Sequence, residues 1–464
     1  MPLRPILVAL DYHADSTQLF TRIRALGHAI WLDSCHPLTQ QGRFDILAAG
    51  PERVLETRGD TTRVTGQGES VTRADNPFDL VREYLPAPHS HARPDDPLPF
   101  CGGALGYFGY DLARRLETIP ACATADLALP DMWLGIYHWA LVVDHQLKET
   151  YLTALAGTDT TVILAFLSQE STDKNLKSIL EKEQISFKIN SFKGFIDAET
   201  YIDKIDIIQK HIIEGDCYQV NFAQRFSAAY SGDPWQAYRL LREVNPAPFA
   251  AYLDLPGQNP ALVSLSPERF IACHQNRVLT CPIKGTIGRG QTPGQDQEQR
   301  EKLANSEKDR AENLMIVDLL RNDLSRVCRQ VKTPALFEVQ TFANVHHLVS
   351  TVTGTLKTGE DNLSLLKATF PGGSITGAPK IRAMELIESL ESHRRGPYCG
   401  SIGYVSACGT MDTNITIRTL IADTDKLHCW GGGGIVADSE AQAEYEESLT
   451  KIRLLMTTLE QAFR

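Results

Sequence analysis

Apolar positions fall on two periods along the chain. As far as about residue 155, short β-rich runs such as "RFDILAAG", "RVTGQG", "GGALGYFGY" and "MWLGIYHWALVVDH" alternate with turns and predict strands. Helical stretches are fewer there; "NPFDLVREYL" is one. From about residue 195 helices and strands mix. "DAETYIDKIDIIQKHIIEGDCYQ" predicts a helix capped by Asp197 and stopped by Gly215. "EQREKLANSEKDRAENLMIVDLLRNDLSRVC" predicts a long helix, continuous or broken. "GPYCGSIGYVS", "TNITIRTLIAD" and "KLHCWGGGGIVAD" read as successive strands, and "EAQAEYEESLTKIRLLMTTLEQAF" as a closing helix. Strands in runs, without regular βαβ alternation, predict an α+β protein with large antiparallel sheets.

The basic residues change character near position 170. Before it Lys148 is the only lysine among many arginines; from Lys174 to Lys210 there are seven lysines and no arginine. We therefore divide the chain into an N-terminal segment, 1–155, an exposed and partly helical linker, 156–194, and a segment from 195 to 464 that carries the chemistry.

The 464 residues carry a formal charge of −11, which argues against a nucleic-acid partner. No apolar run reaches the roughly 18 residues of a membrane span, and "MPLRPILVALDYHADS" reads as a strand, not a secretion signal. A cytoplasmic protein is expected. Cysteines at 35, 101, 122, 217, 273, 281, 328, 399, 408 and 429 form no C-x-x-C, so reduced and mostly buried thiols are expected.

Acids then change the picture. Asp309 and Glu312 share one face of the long helix, which continues through Ile316, Leu319, Leu320 and Asp323. The closing helix repeats the i,i+3 pair at Glu444 and Glu447, with Lys451 one turn on and Ile452, Met456 and Leu459 as a seating stripe. Buried carboxylates are costly unless paired or bound to metal. Salt bridges to nearby arginines would satisfy them; so would a magnesium ion between the two helices. "WGGGGIVAD" lacks the Lys-Ser/Thr of a phosphate loop; its amides could approach a small anion, or the strand could pack closely on another segment. Thr376 and Lys380 in "PGGSITGAPK" are further anion contacts to consider. Arg418 in "NITIRT" has no adjacent acid and either meets a carboxylate or points outward; His347 in "NVHHLVS" reads equally as a core residue. Lys284 in "CPIKGTIGRG" is a tether if solvated and a nucleophile if dry.

"IEGDCYQVNFAQRF", "LSPERF", "PIKGT", "KDRAENLMIVDLLRNDLSRV", "VHHLVSTVTG", "PGGSITGAPK", "SIGY", "ITIRT", "GGGGIVADS" and "EYEESLTK", in this order, resemble the motifs of the chorismate-utilising enzymes. The resemblance covers residues 195–455 strongly and 5–150 more weakly. It implies an α+β unit of two large, mostly antiparallel sheets packed as a sandwich with surrounding helices, the active site between them. It places magnesium at Glu312 and Glu447, with Asp309 and Glu444 beside them. Substrate carboxylates fall to Arg418, Tyr404, Lys451 and the amides of Gly432, Gly433 and Gly434, and His347 and Thr376 line the pocket.

Members that make anthranilate, isochorismate or salicylate carry a small residue in the Pro-x-x-Gly-Thr turn. The lysine form resembles the branch that makes 4-amino-4-deoxychorismate for 4-aminobenzoate and folate. There Lys284 would add at C2 of chorismate while Glu268 of "LSPERF" protonates the departing C4 hydroxyl. No glutaminase signature is present, so the resemblance implies a separate glutamine amidotransferase that supplies ammonia. Related enzymes also have a tryptophan pocket; its counterparts here are Ser34 of "LDS" and Pro246, Pro248 and Phe249 of "NPAPF". Aspartate replaces the glutamate of the inhibited relatives. Two other readings stand beside this one: an anthranilate synthase large subunit, and a non-catalytic protein that binds tryptophan or the amidotransferase.

Overall fold

A computed structural model describes residues 3–39, 42–91, 97–168, 187–255, 260–342 and 345–464. Two sheets dominate it, one of thirteen strands and one of twelve. Neighbouring strands run antiparallel, as in Gln219–Ser231 on Lys426–Ile435 and Ser401–Ser406 on Gly103–Phe108. Both sheets take strands from either side of residues 156–194. In the larger one Ile30–Asp33 pairs with Phe249–Asp254, and in the smaller one Gly103–Phe108 pairs with Ser401–Ser406. The 169–186 part of the expected linker lies outside the described residues.

Alternation along the strands explains the layers. Ile30, Ile46, Leu262 and Ile421 of the larger sheet point into the core between the sheets, where Leu105, Trp133 and Val405 of the smaller sheet meet them. Their neighbours Trp31, Leu47, Val263 and Leu420 point the other way. Helices Thr17–Arg24, Pro234–Val244 and Ala441–Phe463 cover that outer face with Phe20, Trp235, Ile452 and Leu455. The larger sheet is thus buried on both faces, so its strands read as nearly continuous apolar runs.

The expected helices form with local corrections. Asp197 caps Ala198–Ile213 by accepting the Thr200 N–H, and Gly215 follows with φ +86°. The long helix is two, Pro293–Ala304 and Glu307–Val327, because the Ser306 side chain caps a new start by accepting from Asp309 N. The closing helix runs Ala441–Phe463.

Two expected strands instead change sheets midway. "MWLGIYHWALVVDH" gives Met132–Tyr137 in the smaller sheet and Trp139–Asp144 in the larger. "TNITIRTLIAD" gives Met411–Asn414 in the smaller and Thr419–Asp423 in the larger. Arg418 therefore sits on the crossing between the sheets, with φ +50°, and not within a strand. Among the described residues no helix is long and apolar enough to cross a membrane.

Candidate active site

The strand Ile283–Gly288 pairs with Val345–Leu356, and its register breaks between Ile283 and Thr286. That irregularity lifts Lys284 and Gly285 out of the ladder. Gly285 has φ +83°, and a Cβ there would meet the Asp309 carboxyl at 2.9 Å. Only glycine serves both demands, so the turn holds Lys284 against the start of the helix Glu307–Val327.

Lys284 is half-buried and its Nζ donates to the Ser374 carbonyl at 3.3 Å. Burial lowers its pKa; Glu312, Glu268 and Glu447 pull it up while Lys451 pushes it down. Glu268, 6% exposed, stands just before the strand Arg269–His274. Burial pushes its carboxyl up to about 7, although Lys284, a hydrogen bond with Ser374 and the Ile283 N–H all favour the ionised form. A carboxyl poised at that pH beside a half-dry amine can exchange protons in either direction.

The tetraglycine lies within the strand Lys426–Ile435, opposite Gln219–Ser231. A Cβ on Gly431 would strike the Ser448 carbonyl of the closing helix at 2.0 Å. One on Gly433 would come within 3.1 Å of Glu444 Oε2, 3.7 Å of Glu447 Oε1 and 3.7 Å of Lys451 Nζ. One on Gly434 would lie 2.3 Å from Gln219 Nε2 and 3.4 Å from Lys284 Nζ. The missing side chains therefore let the helix and the charged groups close on one point.

The four helical acids face the same region. Burial raises the Glu312 pKa, with Asp309 and Glu444 as like charges and Lys284 and Lys308 opposing. Glu444, 4% exposed, accepts from Ser439 Oγ at 2.7 Å and from Lys308 at 3.5 Å. Glu447 pairs with Lys451 at 2.7 Å; burial pushes it up, but Lys451 holds it below its ordinary value. Lys451 also donates to the Gly432 carbonyl at 2.8 Å. Acids that bear on Glu312 as like charges, with no side chain on Gly433 to separate Glu444 from Glu447, fit a hard divalent cation. Asp323, on the same helix face, is already neutralised by Lys380 at 2.6 Å, which removes both from this group. Among the described residues only His211, Glu214 and Asp216 hold three ligand atoms within 4.8 Å, and there Arg382 already pairs with Asp216 at the surface.

His347 is 3% exposed; its Nδ1 shares a hydrogen bond with Thr286 Oγ1 at 2.7 Å. Burial, then Arg418, lowers its pKa to about 4, so the ring is neutral at pH 7. For Arg418 the one resolved influence is burial, which lowers its pKa, and no carboxylate among the described residues pairs with it. Thr376, fully buried, donates to the Gly372 carbonyl at 2.9 Å, and its own carbonyl accepts from Asn221 N. Tyr404 is buried within the strand Ser401–Ser406. The groups acting on its hydroxyl are Asp412, Cys408, Arg269 and Thr410, none of them in the Lys284 group.

Gln219 was not singled out in the sequence. It is fully buried beside Gly434, and neither its amide oxygen nor its nitrogen has a hydrogen-bond partner. An unpaired buried amide next to Lys284 is a ready site for a polar ligand. Its only sequence signal was its place inside "CYQVNFAQRF".

The second group of expected residues lies elsewhere. The pairing of Asp33 with Ala250, continued one step, sets Ser34 opposite Phe249, with Pro246 and Pro248 just ahead. Ser34 donates its hydroxyl to Asp45 at 2.7 Å, while Arg242 and Tyr238 hold Asp33 at 2.6 and 2.7 Å.

A family model described as chorismate binding enzyme matches residues 27–457, and the chain belongs to that family of enzymes. Within it the chain stands among the proteins called aminodeoxychorismate synthase component 1. It is 47% identical to the one from Klebsiella aerogenes, over 99% of this chain and all of that protein. It is 46% identical to the one from Escherichia coli K12, over 99% of each. Among solved structures, anthranilate synthase component I from Streptococcus pneumoniae is similar with a TM-score of 0.76 and 33% identity, covering 89% of this chain and 92% of that one. The menaquinone-specific isochorismate synthase from Escherichia coli, at 16% identity and TM-score 0.72 over 99% and 94%, shares the fold.

Proposed function

We propose that the chain converts chorismate and ammonia into 4-amino-4-deoxychorismate, on the way to 4-aminobenzoate and folate, with Lys284 as covalent catalyst. The observation that carries this reading is a half-buried Lys284, its pKa lowered by burial, beside a Glu268 carboxyl at about 7. The neutral amine bonds to C2 of the ring, the diene shifts, and the C4–O bond breaks. Glu268 gives its proton to the leaving hydroxyl, which departs as water. Ammonia then bonds to C4, the diene shifts back, and the lysine leaves C2 with its electron pair. The pyruvyl ether stays intact throughout.

The remaining side chains bind and orient. Arg418, lacking a protein carboxylate, suits a substrate carboxylate, with the neutral His347 beside it. Gln219 offers an amide donor and acceptor close to the lysine. Glu312 and Glu447, backed by Asp309 and Glu444, would hold magnesium. When bound, the ion would act as a Lewis acid on the ring carboxylate.

Ammonia would come from a separate glutamine amidotransferase in the cytoplasm, consistent with the relatives' designation as component 1. Ser34, Pro246, Pro248 and Phe249 would line a tryptophan site.

The test incubates purified chain with chorismate, magnesium and excess ammonium. A product that keeps its pyruvyl group and yields 4-aminobenzoate after a lyase is added supports the reading. Fluorescent anthranilate with released pyruvate would place the chain with the anthranilate synthases. No turnover, with or without a glutaminase partner, would leave a binding protein.

A further inference from the structure

The turn that joins Ser401–Ser406 to Met411–Asn414 carries Cys408, and the segment entering Gly103–Phe108 carries Cys101. These strands pair with Gly103 opposite Ser406. The Ala407 N–H bonds to the Gly102 carbonyl at 2.8 Å, which carries the same register one step further. Cys101 precedes Gly102, and Cys408 follows Ala407 in the turn that the Gly409 N–H closes on the Ser406 carbonyl. Cys101, Leu155 and Ala407 form one small buried cluster against which Cys408 packs. Both sulfurs also meet one hydroxyl, Ser406 Oγ, at 3.8 Å from Cys101 and 3.2 Å from Cys408.

We propose that Cys101 and Cys408 form a redox-active thiol pair that a low-molecular-weight disulfide such as oxidised glutathione closes into a disulfide. Cys408 is the attacking member, because it is half-buried while Cys101 is 2% exposed. A hydrogen bond from the Cys101 thiol holds the Cys408 thiol well below its ordinary value, with His91, Ser406 and Thr410 helping. The same bond raises Cys101, so the proton stays on the buried partner. The His91 ring, beside the ring of His274 at 5.3 Å, flanks the sulfur.

In the first step the Cys408 thiolate bonds to one sulfur of the external disulfide and expels one glutathione thiolate. In the second, Cys101 bonds to the Cys408 sulfur and expels the other, its proton passing to the departing thiolate. The protein gives up two electrons, and they leave on two reduced glutathione molecules. The new bond ties the entry of Gly103–Phe108 to the turn whose Thr410 bonds the Tyr404 hydroxyl.

The experiment treats the full chain with oxidised glutathione, blocks free thiols, and maps peptides without reduction. The expected result is a linked peptide pair containing Cys101 and Cys408, reversed by dithiothreitol. Cys101→Ser, with Cys101→Ala as a second variant should the first not fold, stops at one glutathione on Cys408. Cys408→Ser leaves Cys101 unmodified. Glutathione only on the exposed Cys122, or both thiols still free after treatment, would overturn the proposal.

Discussion

Glu268 accepts the backbone N–H of Ile283, the residue before Lys284, and the two side chains act on each other's protons. The lysine draws the carboxyl downward, yet burial leaves it at about 7. Burial works on the lysine in the same sense, disfavouring its charge. One dry wall therefore keeps the acid protonated up to about pH 7 and favours the neutral form of the amine.

A pH profile follows from this pair. The working form has Glu268 protonated and Lys284 neutral, so kcat/KM should be bell-shaped with one inflection near 7. Glu268→Gln keeps a hydrogen-bond donor but has no proton to release. It should lower kcat by about 10²–10⁴-fold and leave a profile that rises with pH to a plateau. A variant that keeps both limbs would exclude Glu268 as the acid.

The same substitution should stabilise the fold. The folded pKa of Glu268 lies above the ordinary 4.5, so the folded chain holds that proton more tightly. Its contribution is complete below pH 4.5 and is lost as pH rises through about 7. At pH 8 Glu268→Gln should gain on the order of 3 kcal/mol over its difference from wild type at pH 4.5. Denaturant titrations at the two pH values measure this; an equal difference at both would contradict it.

Removing either helical carboxylate should weaken magnesium. Glu312→Gln and Glu447→Gln should each raise the half-saturating magnesium concentration by roughly 10–100-fold or more. The thermal shift that magnesium gives the wild type should shrink in parallel, without substrate present. Unchanged magnesium dependence in both would separate these acids from the metal.

Gly434→Ala tests the close approach of the tetraglycine. The new methyl would press on Gln219 Nε2 at 2.3 Å and reach Lys284 at 3.4 Å. Overpacking of this kind costs about 1–3 kcal/mol of stability, and displacing Gln219 and Lys284 from the site should lower kcat/KM as well. Gly294→Ala, on an exposed helical turn where a Cβ would meet nothing and φ is ordinary, checks that adding a methyl to a glycine is not itself the cause. Equal activity of both variants would mean that the strand leaves more room than its geometry shows.

The sequence displayed the parts of this site that depend on local spacing. Acids three residues apart, a tetraglycine and a lysine before Gly-Thr are visible in the letters, as is the cap at Asp197; the Ser306 cap that splits the long helix came from the structure. Sheet membership was not visible, because period-two alternation reports burial and not which of two sheets a strand joins. Hence "NITIRT" looked like one strand when its arginine sits on the crossing between layers. Gln219 was hidden for another reason: a buried amide without partners is defined by what surrounds it. Cys101 and Cys408 lack C-x-x-C spacing, and only the pairing of distant strands brings them into one cluster.

The central claim is a bond between Lys284 and the ring. The direct measurement is peptide mass spectrometry of the chain quenched after mixing with chorismate and magnesium, with ammonia withheld. The account predicts a mass increase of chorismate less one water on the peptide that contains Lys284, absent from Lys284→Ala and discharged when ammonium is added. Full turnover with that peptide never modified, or Lys284→Ala turning over like the wild type, would contradict it.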